Sequence, residues 1–443
     1  MDDVDVQAGL LRKCRDRWAG LFAGESRQQI AISISALTGS GLIAIAIRFL
    51  GTLVQGRFVG PEVLGYYAAF TILPTYLYLL HLGVFTALSR QYPYWIGQGN
   101  RDRALSYAAN GLGWARALGA LQAVGFSVPC LWAVGRGDWM AAAGWGTQSV
   151  LSMTDRYMMY LASTYRSSSE FVVWSKTSVI SALASIVVLP VVIVHGFVGV
   201  CLRAAVPNVV ALWYAHIRRP LKIKARVHRP VLLDMIAFGA PLMVVGYVGT
   251  FLWDAVTSSF ILARLDSRQL GVMSFALTLC MALVTVASSI SNVFLPRIAA
   301  LYGSSGNNME VSIRYCLRAS LLGCAVVTPL ILLAWLVLDP FVRLFLPAYV
   351  DSVPVARWLC WLALLPVLEL PRQLLVVAKR TRAYSISVLM GFGIFCTVLL
   401  GAPAYGQPLT LQAIVVASVL CKFLAVLLGN AFAWYGARPV GNA

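Results

Sequence analysis

Seven ionisable side chains stand inside apolar stretches that are long enough to cross a bilayer. They are Arg48, Arg116, Asp155 and Arg156 in the first half of the chain, and Asp254, Glu369 and Lys422 in the second half. A charge near the bilayer centre costs at least about 2.5–3.5 kcal/mol, so it usually faces a cavity or a partner. A guanidinium group matches phosphate oxygens with two parallel hydrogen bonds. Arg48, Arg116 and Arg156 are therefore predicted to bind a phosphate or pyrophosphate on the substrate.

Some arginines within the apolar stretches have a simpler explanation than phosphate binding. A long side chain can reach the membrane surface from a buried backbone position, and this alternative applies to Arg156 and to Arg203. Arg48 and Arg116 are harder to explain in this way, because helix rise places Arg116 near mid-membrane and Arg48 in the middle to outer part of its span. The first half of the chain thus predicts a mainly cationic cavity.

The acids and the lysine are candidate coupling or cavity residues. Asp155 is adjacent to Arg156, so on a helix the two side chains point about 100° apart and need not pair. Asp254 could bind a proton or a cation, and Lys422 is a similar candidate. Glu369 could also line the cavity, although a private salt bridge with Arg372, at spacing i, i+3, would explain it as well.

The elements that must position these groups are predicted to be membrane-spanning helices. Mean hydropathy is +0.77, with 59% hydrophobic and 12% charged residues, whereas soluble chains carry about 25% charged residues. A chain of 443 residues has room for about twelve spans of roughly 20 residues. The predicted spans cover residues 32–53, 66–88, 104–134, 140–163, 172–194, 196–214, 232–262, 270–294, 312–338, 352–378, 383–403 and 410–435.

The predicted fold is an all-α polytopic membrane protein with two six-helix lobes, related by a pseudo-two-fold axis along the membrane normal. The predicted parts are an amphipathic N-terminal segment (1–29), an N-lobe (30–216), a basic linker (217–230), a C-lobe (231–436) and a tail (437–443). A weak internal repeat supports two similar halves: Leu64-Gly65 before one apolar span is echoed by Leu270-Gly271 before another.

Charge placement predicts the orientation. Most basic residues of this +18 chain lie in short loops beside apolar spans, which is the positive-inside pattern rather than a nucleic-acid-binding surface. The most basic stretch, IRRPLKIKARVHRP from Ile217 to Pro230, joins the two halves. Both termini and this linker are predicted to be cytoplasmic. Prolines within spans, among them Pro74 and Pro241, are predicted to kink their helices or simply to be tolerated there.

Enzyme and metal signatures are missing from the sequence. There is no Walker A loop, GxSxG, HExxH or CxxC pair. The sequence therefore predicts no cofactor, no metal and no catalytic residue.

Three stretches, VGPEVLGYYAAF, ALSRQYPYWIGQGN and HGFVGVCLRAAVPNVVALW, resemble the Wzx-type polysaccharide-biosynthesis flippases of the multidrug/oligosaccharidyl-lipid/polysaccharide exporter superfamily. The second half lacks a clear GPE turn. The resemblance implies a V-shaped, two-lobed flippase in the bacterial inner membrane that moves undecaprenyl-diphosphate-linked oligosaccharide by alternating access. The substrate would be an O-antigen (lipopolysaccharide) or exopolysaccharide repeat unit, with polysaccharide polymerase and chain-length machinery as possible partners.

Three alternatives stay open at this point. The first is a drug or metabolite exporter of the same superfamily, which acids in the first-half cavity would favour. The second is a membrane-embedded polysaccharide polymerase or glycosyltransferase, which usually needs a larger external loop than any in this chain. The third is a membrane scaffold that transports nothing.

Overall fold

The computed structural model describes residues 27–168, 170–305, 308–378, 380–401 and 410–437. The predicted N-terminal segment and C-terminal tail fall almost entirely outside these ranges. Within them, all regular structure is helical. The first half contains α1 (Arg27–Phe58), α2 (Pro61–Leu77), α3 (Val84–Gly97), α4 (Arg101–Gly135), α5 (Trp139–Ser167), α6 (Phe171–Val187), α7 (Leu189–His195) and α8 (Phe197–Ile217).

The second half follows the linker. It contains α9 (Arg229–Tyr247), α10 (Trp253–Arg264), α11 (Ser267–Ser304), α12 (Met309–Phe345), α13 (Ser352–Cys360), α14 (Leu365–Leu368), α15 (Leu370–Val377), α16 (Thr381–Gly401) and α17 (Leu411–Ala437). Short irregular turns join some of these: 3₁₀ turns at Tyr78–His81, Pro347–Tyr349 and Trp361–Leu364, and a π turn at Val248–Leu252.

These helices form the twelve predicted segments. Among the described residues, nine segments are long and apolar enough to span a membrane, and the bent α13–α15 segment is a tenth. The other two are α1 and α5, of 32 and 29 residues. Both are long enough to span; α5 carries Asp155, Arg156 and Arg166, which lower its hydropathy. The chain is thus an all-α membrane protein whose twelve helical segments form two lobes.

The bundle has two ends, which we name by their residues. The Tyr349 end holds the end of α1, the starts of α2, α8 and α11, and the end of α12. The linker end holds the ends of α3 and α8, the starts of α4 and α9, and the linker between α8 and α9. The positive-inside pattern predicts that the linker end is cytoplasmic.

The second span is broken rather than merely kinked. Pro74 lies inside α2, and four residues later the chain enters the 3₁₀ turn and then leaves helical geometry at Leu82 and Gly83, which have φ of 50° and 74°. A positive φ is unusual for leucine, whereas glycine adopts it without a steric penalty. The predicted bend near Pro74 is therefore a full break between α2 and α3.

Side chains from neighbouring spans bond the carbonyl groups near this break. The Tyr247 hydroxyl, from the end of α9, donates to the Tyr76 carbonyl at 3.0 Å, and Gln122 Nε2, from α4, donates to the Leu77 carbonyl at 3.1 Å. Buried carbonyls need such partners because no water reaches them inside a membrane. The break is thus stabilised by both the third and the seventh spans.

The seventh span changes lobes along its length. Its first part, α9, packs against α3 and α4, and the Tyr107 hydroxyl of α4 donates to Asp234 of α9. The π turn at Val248–Leu252 follows Pro241 by seven residues and leads into α10, which packs with the second-half core through Trp253 and Ile261. The boundary at residue 231 stays a prediction, and in space α9 lies against the N-lobe.

The two lobes meet closely where α2 packs on α11. An added Cβ at Gly65 would overlap the Ser267 carbonyl, and one at Gly271 would overlap the Pro61 carbonyl. These are the two glycines of the internal repeat, so equivalent positions of the two halves face each other across the interface. Only glycine permits this separation, because any other residue carries a Cβ.

Candidate functional site

A cavity of about 550 Å³ lies between the two lobes toward the Tyr349 end. Four N-lobe spans contribute most of its wall, and α11 and Tyr349 of the second half close it. Each helix presents one face at helical spacing. The polar lining side chains are Arg48, Thr52 and Gln55 of α1, Tyr67 and Thr71 of α2, Ser181 and Ser185 of α6, Arg203 and Asn208 of α8, Ser274 and Thr278 of α11, and Tyr349.

Two guanidinium groups face this cavity. Arg48 is exposed to it and donates from Nη2 to Ser181 Oγ at 3.1 Å. Arg203 is partly buried and donates to Gln55 Oε1 and, at 3.4 Å, to Thr52 Oγ1. The described lining includes no acid. The cavity is therefore positive, and neither arginine pairs with a carboxylate of the described residues.

Aromatic side chains close the cavity at the Tyr349 end. The Tyr349 hydroxyl donates to the Val59 carbonyl at 2.8 Å across the lobe interface. The Tyr349 ring stacks on Phe275 with centroids 4.0 Å apart, and both residues are buried. The structure is therefore closed at this end.

Ion pairs lie outside this aromatic closure. Arg268 of the second half pairs with Glu62 of α2 at 2.9 Å and with Asp351 at 2.8 Å. Arg57 at the end of α1 donates to the Phe345 carbonyl at 3.1 Å. The side chains of the two Arg268 ion pairs are substantially solvent-exposed, so each pair contributes only about 0–1 kcal/mol. They orient the closed end more than they stabilise it.

Arg116 lies away from the cavity. Its guanidinium stands 5.9 Å from the Tyr157 ring centroid, and the Tyr157 hydroxyl is 2.7 Å from His216 Nδ1 in the last turn of α8. Asn110, six residues or about 9 Å of helix rise earlier, already contacts the linker. Arg116 therefore lies on the linker side of the N-lobe, and it is not among the residues that line the described cavity with Arg48.

Arg156 belongs to the network around the broken span. It is 5% exposed, donates from Nε to Gln122 Oε1 at 2.9 Å, and stands 5.0 Å from the Tyr78 ring. Gln122 in turn bonds the Leu77 carbonyl. Neither of the sequence-based explanations, phosphate binding or reaching the surface, describes this position. Asp155, the next residue on α5, is exposed.

The candidate ions of the second half form pairs. Lys422 Nζ of α17 lies 2.9 Å from Asp254 Oδ1 of α10, with side chains 17% and 47% exposed. Glu369 forms an ion pair with the buried Arg372 three residues later, which is the private salt bridge that the spacing suggested. Asp254, Glu369 and Lys422 are not among the residues that line the described cavity. No group of three or more His, Cys, Asp or Glu residues suited to a metal was found in the described ranges.

Arg203 is the cavity residue that sequence reasoning missed. The sequence favours the interpretation that its side chain reaches the membrane surface. The structure instead turns it inward, on the face that also carries Ala204, Pro207 and Asn208. That cluster of small and polar residues at i+1, i+4 and i+5 is the signal that could have identified a cavity-facing side.

Comparisons with known proteins identify the fold. No family model and no curated protein matches the chain. Among solved structures, it is similar to an inward-facing multidrug resistance MATE family transporter of the MOP superfamily, with TM-score 0.65 and 14% identity, covering 91% of this chain and 98% of that one. It is also similar to a MOP superfamily transporter from Pyrococcus furiosus, described as having a binding pocket of reverse polarity that suggests a different function (TM-score 0.58, 14% identity, 93% and 96% coverage).

A third similar structure is the lipid II flippase MurJ in an inward closed conformation. The TM-score is 0.62 at 13% identity, covering 89% of this chain and 86% of that one. All three structures belong to transporters or flippases, and none is an enzyme by its description. The likeness shows that this chain has their two-lobed, twelve-helix fold.

Proposed function

We propose that this chain flips undecaprenyl-diphosphate-linked oligosaccharide across the bacterial inner membrane by alternating access, as a member of the MOP superfamily. The substrate would be an O-antigen or exopolysaccharide repeat unit. The observation that carries the proposal is the cavity whose only charged lining groups among the described residues are Arg48 and Arg203. Two guanidinium groups suit a diphosphate, because each offers a planar pair of donors that matches phosphate oxygens.

The rest of the lining suits a sugar. Hydroxyl and amide side chains from five helices surround the two arginines, and such groups both donate and accept hydrogen bonds. The volume of about 550 Å³ is within the range of small-ligand sites, about 300–1,000 Å³. It suits a diphosphate with its nearest sugars, while the polyprenyl tail stays in lipid.

The fold supports a flippase of this kind. The MurJ structure is that of a lipid II flippase, so the architecture accommodates a lipid-linked substrate. Closure at the Tyr349 end by Tyr349, Phe275 and Val59 corresponds to one end state of alternating access. In this proposal the linker end is cytoplasmic, both termini lie on that side, and a polymerase with its chain-length partner acts on the flipped product.

Export of drugs or metabolites is the second candidate. It is favoured by the similarity to a multidrug resistance transporter, with TM-score 0.65. The sign of the cavity argues against a cationic drug, since two arginines repel cations and no described lining acid attracts them. Anionic metabolites are the form of this alternative that the cavity permits.

Reconstituted transport would test the proposal. Proteoliposomes would be loaded with a fluorescent undecaprenyl-diphosphate disaccharide, and flipping measured by chemical quenching of the outer leaflet. We expect Arg48→Ala and Arg203→Ala each to reduce flipping at least about tenfold, since a hydrogen bond to a charged group is worth about 1.5–3 kcal/mol. Arg48→Lys should restore only part, because lysine lacks the planar fork.

The matched control is Arg314→Ala. Arg314 is exposed on α12 and pairs with Glu310 four residues away, far from the cavity, so its loss should leave flipping unchanged. Normal flipping by both cavity variants would refute the phosphate role. Failure of the unsubstituted protein to flip this lipid, with uptake of a soluble organic anion instead, would establish the exporter.

A further inference from the structure

The linker between the lobes is an ordered strap rather than a loose connection. It runs between α8 and α9 without regular secondary structure, yet backbone hydrogen bonds fix it to α4. Arg226 N donates to the Ala109 carbonyl at 3.1 Å, and His228 N donates to Asn110 Oδ1 at 2.6 Å. Asn110 is only 2% exposed. The backbone that carries the charged side chains of the linker is therefore held in place on α4.

The linker alternates in burial, as an extended segment does when one face is packed. Leu221, Ile223 and Ala225 are partly buried against the N-lobe core cluster, while Lys222 and Lys224 between them are exposed, as is Arg226. The apolar residues of the linker thus contact the N-lobe, and the basic side chains between them point outward.

The exposed face of the linker is strongly basic. Its exposed cations are Arg218, Lys222, Lys224, Arg226 and Arg229. None of them appears in an ion pair with an acid of the described chain. Five cations on one fixed segment make a positive surface that no acid of the described chain neutralises by an ion pair.

The flanking helices locate this surface at the membrane boundary. On α8, Trp213 and Ile217 are 66% and 55% exposed, and on α9 Leu233 is 53% exposed. Large apolar side chains exposed on a membrane helix contact lipid, and tryptophan favours the headgroup level. These residues lie within about a turn or two of Arg218 and Arg229, so the linker lies beside lipid headgroups.

We propose that the linker binds the anionic phospholipid headgroups of the leaflet it faces and so holds the linker end of the N-lobe against that leaflet. Clusters of four to eight basic residues next to a membrane helix attract anionic lipids, and each basic residue adds to the attraction. The positive-inside rule alone would require basic residues in this loop. It would not require an ordered backbone on which buried apolar and exposed basic side chains alternate. This inference is independent of the substrate and holds equally for a flippase or an exporter.

Lipid selectivity in nanodiscs would test it. The protein would be placed in phosphatidylcholine nanodiscs containing spin-labelled phosphatidylglycerol or spin-labelled phosphatidylcholine, and the protein-bound fraction of each probe measured. We expect selectivity for phosphatidylglycerol that falls about tenfold in the triple variant Lys222→Gln, Lys224→Gln, Arg226→Gln, and that weakens with salt. Backbone hydrogen exchange of the linker should slow in anionic nanodiscs.

The matched control removes the same charge elsewhere. In Arg314→Gln, Arg318→Gln, Arg382→Gln all three positions are exposed on helices whose basic ends lie on the predicted cytoplasmic side. This control variant should keep full selectivity for phosphatidylglycerol. Equal selectivity in both triple variants would overturn the proposal, because the lipid would then respond to net charge alone. Protection of the linker by soluble polyglutamate but not by anionic lipid would also overturn it, in favour of an acidic protein partner.

Discussion

Replacing Gly65 or Gly271 by alanine should prevent the Tyr349 end from closing. The two glycines allow the backbones of α2 and α11 to touch, and each added Cβ would overlap a carbonyl of the opposite lobe. A carbonyl belongs to a helical backbone and cannot move aside as a flexible side chain can. The two lobes must therefore separate, and the closed state loses stability relative to any state in which these helices are apart.

The size of the effect follows from the contact. Overpacking by one carbon typically costs about 1–3 kcal/mol, and this cost falls on the closed state alone. An equilibrium shifts about 5- to 150-fold for that energy. Alanine is also a better helix former than glycine by about 1 kcal/mol, but that gain is present in open and closed states alike. The variant should thus fold and stay stable while opening at the Tyr349 end.

Spin-label distances would measure the shift. Phe58 at the end of α1 and Leu344 near the end of α12 are 58% and 70% exposed on opposite sides of the interface, so labels there report the separation of the lobes. In the parent we expect a short distance distribution, and in Gly65→Ala or Gly271→Ala a predominantly longer one. The transport rate should decrease as the closed state becomes less populated, because alternating access requires the Tyr349 end to close in each cycle.

A control variant separates the clash from a general effect of removing glycine. Gly125 lies in the middle of α4 with nothing within 4 Å of an added Cβ, so Gly125→Ala should leave both distance and transport unchanged. If Gly65→Ala gives the same distances as the parent and as Gly125→Ala, the close approach of α2 and α11 is not what permits closure.

Three further outcomes are expected. Tyr247→Phe removes the hydroxyl that bonds the Tyr76 carbonyl and should lower stability by about 0.5–1.5 kcal/mol, measured as a fall in melting temperature in detergent; an unchanged value would show that the hydroxyl does not stabilise the break. Tyr349→Phe keeps the stacked ring but loses the bond to Val59, so the Phe58–Leu344 label distances should broaden without the full opening caused by alanine at Gly65. Asp254→Asn leaves the largely buried Lys422 unpaired and should cost about 1–3 kcal/mol, whereas the double variant Asp254→Asn, Lys422→Gln should recover much of it; an equally unstable double variant would contradict a simple pairing role.

The sequence predicted the fold well because hydropathy and length act locally. Each predicted span is matched by one helix or by a series of two or three broken helices, since a bilayer admits little else. The breaks were harder. Pro74 and Pro241 indicated bends, but the irregular turns come four and seven residues later, where contacts such as that of Tyr247 with the Tyr76 carbonyl stabilise them. Such contacts join residues far apart in the chain and leave no local pattern.

The candidate site was predicted only in part, for the same reason. Arg48 lines the cavity, as expected of a costly intramembrane charge, but its companion is Arg203 rather than Arg116 or Arg156. Depth along a helix can be counted from the sequence, whereas the direction of a side chain depends on which neighbour the helix packs against. Arg156 illustrates this: its partner Gln122 lies 34 residues away on another helix.

The two lobes differ in whether their intramembrane basic residues form ion pairs, and this difference suits the proposed transport of an anion. Arg48 and Arg203 of the N-lobe face the cavity without a described acidic partner, whereas Lys422 and Arg372 of the C-lobe pair with Asp254 and Glu369. Under the proposed function, a bound diphosphate would be held by one lobe and travel with it, while the other lobe contributes hydroxyl groups and Tyr349. Opening of the Tyr349 end would withdraw Phe275 and Tyr349 from the cavity but leave both arginines in place. Release of the substrate would then depend on water reaching the arginines, whose hold on phosphate weakens as the local dielectric constant rises.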